Sequence, residues 1–194
     1  MTTMTQRKTR TVKRTTTRCL SAFAVLAILA ARPALAGIDP ACRPVLDALD
    51  KLSQTPHHQY MTLTAAGAAA RPGGKPITAE VIVTGGDMYI QVGGRWRKTG
   101  ETAADRKKRQ EESLVNATMS CRYLRDEAVD AVASAVYTSE TEKDGHKTQG
   151  VVWIAKSTGL PVRQEIDLDI GGAIGKSHHA VRFEYRNVQA PDVK

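Results

Sequence analysis

Two Gly-Gly pairs, Gly85-Gly86 and Gly93-Gly94, bracket the six residues from Asp87 to Val92. A two-residue link between antiparallel strands favours a turn whose central positions both take positive φ, which glycine adopts without steric cost. The pairs therefore cut ITAEVIVT, DMYIQV and RWRKT into a tight meander. Links this short also set register. Val83 then faces Met88, Val81 faces Ile90 and Ala79 faces Val92, an aliphatic side. On the other side Ile82 faces Tyr89, Glu80 faces Gln91, and Trp96 also comes opposite Gln91. A sheet with one face in water alternates apolar and polar residues. This ribbon carries large apolar groups on both faces, so both faces must be covered.

Upstream, Val45, Leu46, Leu49 and Leu52 repeat at helical spacing behind the start signals Asp39-Pro40 and Arg43-Pro44, predicting a helix that ends near Ser53. HQYMTLTAA reads as a strand and RPGGKP as the loop that ends it. ETAADRKKRQEESLVNA is polar and helix-favouring, with Leu114 and Val115 its large apolar residues, and fits an exposed helix or lid. CRYLRDEAV, AVASAVYTSETE, TQGVVWIAK, LPVRQEIDLDI and HHAVRFEYRNV read as further strands, with a tight turn at Asp144-Gly145 and a loop GGAIGKS. That turn sets Val136 against Trp153 and Tyr137 against Val152, again apolar on both sides. The last hairpin alternates: Ile166, Leu168 and Ile170 share a side with Val181, Phe183 and Tyr185, while Glu165, Asp167 and Asp169 point away. Charge favours pairing Glu165 with Arg182 and Arg163 with Glu184 there.

The expected fold is α+β: a strongly curved antiparallel sheet, an incomplete barrel of about eight to nine strands, with an N-terminal helix and a polar helical insertion. One face of the central ribbon packs on an element such as the N-terminal helix. The other is a second layer of ordinary core or the lining of a hydrophobic cavity, and Ile82, Tyr89 and Trp96, joined by Tyr137, form the candidate ligand face.

Residues 1–36 combine a basic start without acids, the apolar run LSAFAVLAILAA and an Ala34-Leu35-Ala36 site, the three parts of a cleaved secretory signal peptide. The apolar run is too short to span a bilayer. Gly37, where a lipid-anchored chain would have Cys, follows the site. The mature chain, residues 37–194, is expected to be a single soluble periplasmic domain without a transmembrane segment. Seven of the 28 Lys and Arg leave with the leader, and 21 remain against 20 acids, so the overall charge of +8 describes an export signal and gives no support for nucleic-acid binding. Cys42 and Cys121 remain. An even pair in an exported chain reads as one disulfide, with two buried thiols as the alternative.

Motifs for catalysis are missing. There is no G-x-S-x-G, H-E-x-x-H or C-x-x-C, and no phosphate loop or dinucleotide fingerprint. His57-His58 and His178-His179 could offer two imidazoles to one metal if the first and last strands approached, but no third ligand stands at a telling spacing. Exposed His at strand starts is the simpler account. The acidic stripe Glu165, Asp167, Asp169 is explained by paired charges facing solvent. No cofactor or metal is expected.

The leader, the leucine-rich helix, the meander ending in GGRWRK and the pattern WIAKSTGLPVRQE, from Trp153 through Glu165, together resemble the lipoprotein-carrier (LolA/LolB-like) superfamily of bacterial envelopes. That resemblance implies an incomplete barrel with helices over its open side, in which members hold acyl chains or bind protein segments. The expected function is non-catalytic binding of a lipid, an acyl chain or another amphipathic ligand in the periplasm. The alternative is a protein-interaction module of envelope signalling or assembly with a filled core.

Overall fold

Asp39 starts the first described helical turn by accepting a hydrogen bond from the Ala41 N–H, which closes a 3-10 turn, Pro40–Cys42. Helix α1, Arg43–Gln54, follows directly, with Pro44 in its first turn, where the missing N–H is no loss. It stops at Thr55, held extended ahead of Pro56. The computed structural model describes residues 37–65, 75–169 and 175–193. The signal-peptide reading of residues 1–36 lies outside them, as does most of the two loops RPGGKP and GGAIGKS.

The strands are β1 (His57–Ala65), β2 (Ile77–Thr84), β3 (Asp87–Val92), β4 (Arg95–Lys98), β5 (Thr118–Val129), β6 (Val132–Lys143), β7 (His146–Ala155), β8 (Pro161–Asp169) and β9 (Lys176–Glu184). Helix α2, Ala103–Leu114, interrupts them after β4. They form one antiparallel sheet in the order β4-β3-β2-β1-β9-β8-β7-β6-β5, open at β4 and β5. The α+β curved sheet expected from the sequence is the observed fold. Both Gly-Gly links have positive φ throughout, from 59° to 86°, and the meander register is as expected: Val83 opposite Met88, Ile82 opposite Tyr89, Trp96 opposite Gln91. Val136 opposes Trp153 and Tyr137 opposes Val152.

The β8–β9 register differs from expectation. Arg163 lies opposite Arg182 and Glu165 opposite Ala180, a slip of two residues. At this end the ion pairs run along each strand, Arg163 to Glu165 and Arg182 to Glu184, instead of between the expected partners. At the far end Asp167 meets His178 and Asp169 meets Lys176. A slip of two residues keeps every side chain on its face, and the apolar side of this hairpin is the one expected.

Helix α1 covers one face. Val45 and Ala48 pack with Met119, Val152 and Ile154, and Leu52 packs with Val181 and Phe183. The opposite face has its own cover. A bulge between Tyr123 and Arg125 bends β5, and beyond it Arg125 opposes Val136 and Glu127 opposes Ser134. The tip of this hairpin, Val129 and Asp130, shares a cavity of about 370 Å³ with Tyr60, Arg163 and Arg182. In the sheet order β9, β8, β7 and β6 stand between β1 and β5, so the strands curl until hairpin tip and β1 face each other. Val136 is 0% exposed and Trp153 is buried, on the face away from α1. Beside Trp153, the indole and then Arg125 hold the Glu127 carboxyl below the usual carboxylate range.

At the β5 edge the Met119 N–H donates to the Gly37 carbonyl and the Asp39 N–H donates to Met119, both at 2.8 Å. The disulfide Cys42–Cys121 ties the same corner, with Cα atoms 4.8 Å apart and a sequence separation of 79. A cross-link closing so long a loop restricts the unfolded chain, a contribution on the order of 4 kcal/mol. Urea unfolding of Cys121→Ser, and of reduced wild type, is expected to show a loss of about that size; an unchanged midpoint would contradict it. The β5–β6 turn places a non-glycine residue, Ala131, at φ 66° beside Asp130 at φ 48°. Ala131→Gly is expected to raise stability by about 1 kcal/mol, read from the same unfolding curves, by removing left-handed strain.

Candidate functional site

The meander turns its aliphatic side, Val81, Val83 and Met88, toward α1 and α2. Together with Leu49 and Leu52 of α1 these residues line a cleft of about 310 Å³, closed on its far side by Arg106, Arg109 and Gln110 of α2. The roof is polar. Thr102 and Asp105 form a reciprocal capping box at the start of α2, and the Thr102 contacts hold the Asp105 carboxyl below the ordinary range. Arg109 pairs with Glu101 at 2.6 Å and Arg106 Nη1 donates to the Glu101 carbonyl at 3.2 Å. At the other end Lys143 donates to the Glu112 carbonyl at 2.6 Å. No residue of α2 is fully buried; polar links at its ends do most of the holding, with Leu114 packed on the α1 core.

His57 stands in the wall of the cleft and is only 2% exposed. Its Nδ1–H donates to the Thr55 carbonyl at 2.6 Å, and its Nε2 accepts from the Gln59 amide at 2.7 Å. That arrangement requires the neutral ring. Burial pushes the His57 pKa below 6.5, and the charges of Arg106 and His58 push the same way, against the Thr55 carbonyl. Phe183 and Tyr185 stand at centroid distances of 6.1 and 6.3 Å from the imidazole.

The opposite face carries a row of rings and cations. Trp96 meets His58 edge-on at 6.0 Å, His58 stacks on Tyr60 at 4.2 Å, and the Arg182 guanidinium lies 4.3 Å over Tyr60. Arg163 lies 4.9 Å over Trp153. The polar ends are satisfied within the row: His58 Nε2 and Glu80 at 2.9 Å, and the Tyr60 hydroxyl donating to Glu184 at 3.1 Å. Burial, then Glu184, raises the Tyr60 pKa, and Arg182 lowers that of Glu184.

The structure brings Ile82, Tyr89 and Trp96 to this second face. Ile82 and Tyr89 are 7% and 9% exposed, and Trp96 is half-buried. Tyr137 lies on the α1 face, packed against the cluster of Cys42 and Val45, so it does not join the other three. The histidine pairs are separated as well. The first and last strands do pair, but His58 lies opposite Glu184 while His178 lies opposite Thr64, six positions along the same strand. At about 3.4 Å per residue that is some 20 Å, and among the described residues no cluster of three metal-ligating side chains forms. From the sequence His57 enters only as half of a candidate metal pair, and Arg106 and Arg109 only as part of an exposed charged helix. The aliphatic repeat of Val81, Val83 and Met88 was the available signal, but it carries no mark of which helix covers it or with what.

An open antiparallel sheet with one apolar helix packed on a face and one polar helix over a cleft defines a helix-covered half-barrel. No family model matches the sequence, and no curated protein matches it. Among solved structures the chain is similar to LprF from Mycobacterium bovis, at 15% identity and a TM-score of 0.45, over 79% of this chain and 97% of that one. It is similar to MucB in a complex of Pseudomonas aeruginosa MucA and MucB, at 15% identity and a TM-score of 0.37, over 79% of this chain and 62% of that one. A further similar structure is an outer membrane lipoprotein-sorting protein domain from Vibrio parahaemolyticus, at 8% identity and a TM-score of 0.26, over 76% and 93%. No residue's role passes from these structures to this chain. No helix among the described residues is long and apolar enough to cross a membrane.

Because the folded state resists protonating His57, the unfolded chain takes up that proton first as pH falls below 6.5. The contribution of the neutral ring is full above 6.5 and declines as pH falls toward the lower folded value. The urea midpoint of wild type is expected to fall between about pH 7 and pH 5, and to fall less steeply in His57→Gln. Parallel pH profiles would show that His57 plays no part.

Proposed function

We propose that residues 37–194, exported by a leader cleaved after Ala36, form a non-catalytic binding domain of the bacterial envelope. The ligand is amphipathic, a lipid or free acyl chain. Its apolar part lies against Leu49, Leu52, Val81, Val83 and Met88, and its anionic end meets Arg106 at the rim of the cleft. One observation carries this reading: an apolar floor and a guanidinium rim share one cleft beneath a helix held mainly by polar contacts at its ends. Such a roof can lift without exposing a core of its own, and the ligand would replace water on the apolar wall at roughly 25 cal/mol per Å². The volume lies at the small end of the range for ligand pockets, which fits a short chain or one end of a longer one.

The ligand is assigned to the α1 face rather than to Ile82, Tyr89 and Trp96, because Leu49 and Met88, half-buried, border a cleft of about 310 Å³ there. A second reading, a protein partner, has its own observation. Beyond Met119 the outer edge of β5 runs on past the Gly37–Asp39 contact, with Tyr123 half exposed, and a partner strand could add there.

Native mass spectrometry and uptake of a fluorescent fatty acid test the first reading. Wild type is expected to carry or take up the probe. Met88→Glu should abolish uptake while its circular dichroism stays unchanged, and Arg106→Gln should weaken it about tenfold, the worth of one charged hydrogen bond. A clean unliganded mass with no uptake would overturn the cleft assignment, and recovery of one protein partner without lipid would favour the β5 edge.

A further inference from the structure

The face of the sheet away from α1 holds a hollow that is separate from the cleft. Residues two apart on a strand share a face, so Arg182 and Ala180 of β9 point the same way. Tyr60 of β1 lies opposite Arg182 and Thr62 opposite Ala180, while Arg163 of β8 meets Arg182 from the other side. Ala180 has the smallest side chain of this group. Over it lies the cavity of about 370 Å³ that Val129 and Asp130 of the β5–β6 tip help to wall. It shares no lining residue with the cleft on the α1 face.

Like charges directly opposite on neighbouring strands destabilise a sheet, yet Arg163 and Arg182 are held so. Each guanidinium lies on a ring, Arg163 4.9 Å over Trp153 and Arg182 4.3 Å over Tyr60. The rings restrict their motion, so a ligand that meets them has little left to order. Their acids engage one nitrogen each: Glu165 accepts from Arg163 Nη2 and Glu184 from Arg182 Nη1. Neither Glu165 nor Glu184 lines the hollow. The remaining fork nitrogens have no protein acceptor among the described residues. Asp130, in the wall of the hollow, makes no ion pair among the described residues.

Two guanidiniums with no anion between them, and a carboxylate in the same wall, complement a molecule bearing one carboxylate and one ammonium. The planar guanidinium fork matches a carboxylate through paired N–H donors. We propose that the hollow over Ala180 binds a free α-amino acid, its carboxylate between Arg163 and Arg182, its ammonium toward Asp130 and its side chain along Val129. The volume, at the small end for ligand pockets, suits a single amino acid.

Titration calorimetry with DL-leucine tests this, with DL-leucinamide as the probe that lacks the carboxylate. Leucine is expected to bind saturably and leucinamide not at all. Arg163→Gln and Asp130→Asn should each weaken leucine binding about tenfold, the worth of one hydrogen bond to a charged group. Position 130 has φ 48°, which asparagine tolerates, so that variant keeps the turn. Ala180→Leu should abolish binding by filling the hollow while altering no charge. No saturable heat with leucine, equal affinity for leucinamide, or binding like wild type by any of these variants would overturn the proposal. If Ala180→Leu loses its native circular dichroism, Asp130→Asn, on an exposed turn, still decides. Met88→Glu should lose fatty-acid uptake and keep leucine binding, so the cleft reading and this one can fail separately. Loss of leucine binding in a folded Met88→Glu would move leucine to the cleft and overturn the hollow as its site.

Discussion

The apolar stripe of α1 spans the sheet, and the rest of the architecture is arranged around that contact. Its first turns meet Met119, Val152 and Ile154 on β5 and β7, and its last turn meets Val181 and Phe183 on β9. One helix therefore holds together strands that are distant in sequence, and burial at roughly 25 cal/mol per Å² is the main force available to do so. The pairing of β1 with β9 lets this work, because it joins the early meander to the later strands in one continuous surface. The disulfide and the Gly37–Asp39 contact with Met119 then fix the start of α1 against the β5 edge.

With α1 in place, the two faces of the sheet take different roles. The face away from it carries the curl of the β5–β6 hairpin, around a cavity of about 370 Å³, and the row from Trp96 through His58 and Tyr60 to Arg182, whose polar ends satisfy one another. On the α1 face the helix does not reach over the whole meander. Val81 and Val83, both buried, and Met88, half-buried, line a cleft there together with the polar helix α2. His57 adds a buried imidazole to the wall of that cleft, its pKa held below 6.5 by burial.

Much of this was legible in the residues. The Gly-Gly links gave both the meander and its register, because positive φ and a two-residue loop leave few alternatives. The α1 stripe followed from the spacing of Val45, Leu49 and Leu52. The two-sided apolar pattern of the ribbon correctly demanded cover on both faces. Reasoning from charge failed at β8–β9, since Arg163 and Arg182 each have an acid two residues along their own strand, and local ion pairs satisfied them without any say in register. Grouping Tyr137 with Tyr89 failed for a related reason. Faces can be followed through short turns, but between β4 and β5 lies a helix, across which alternation carries no memory.

Local geometry, then, was determined by the sequence alone: where strands begin, which turns are tight, which residues share a face inside each hairpin, and that Cys42 and Cys121 were the cysteines available to pair. These depend on backbone sterics and on contacts a few residues apart. Only the tertiary structure decided which face α1 covers, that α2 leaves a cleft over Val81 and Met88, and that the β5 bulge carries Val129 and Asp130 across to Tyr60. Each of those outcomes is a competition among long-range packings for the same apolar surface, and its result is set by the shape of the whole sheet rather than by any segment of it.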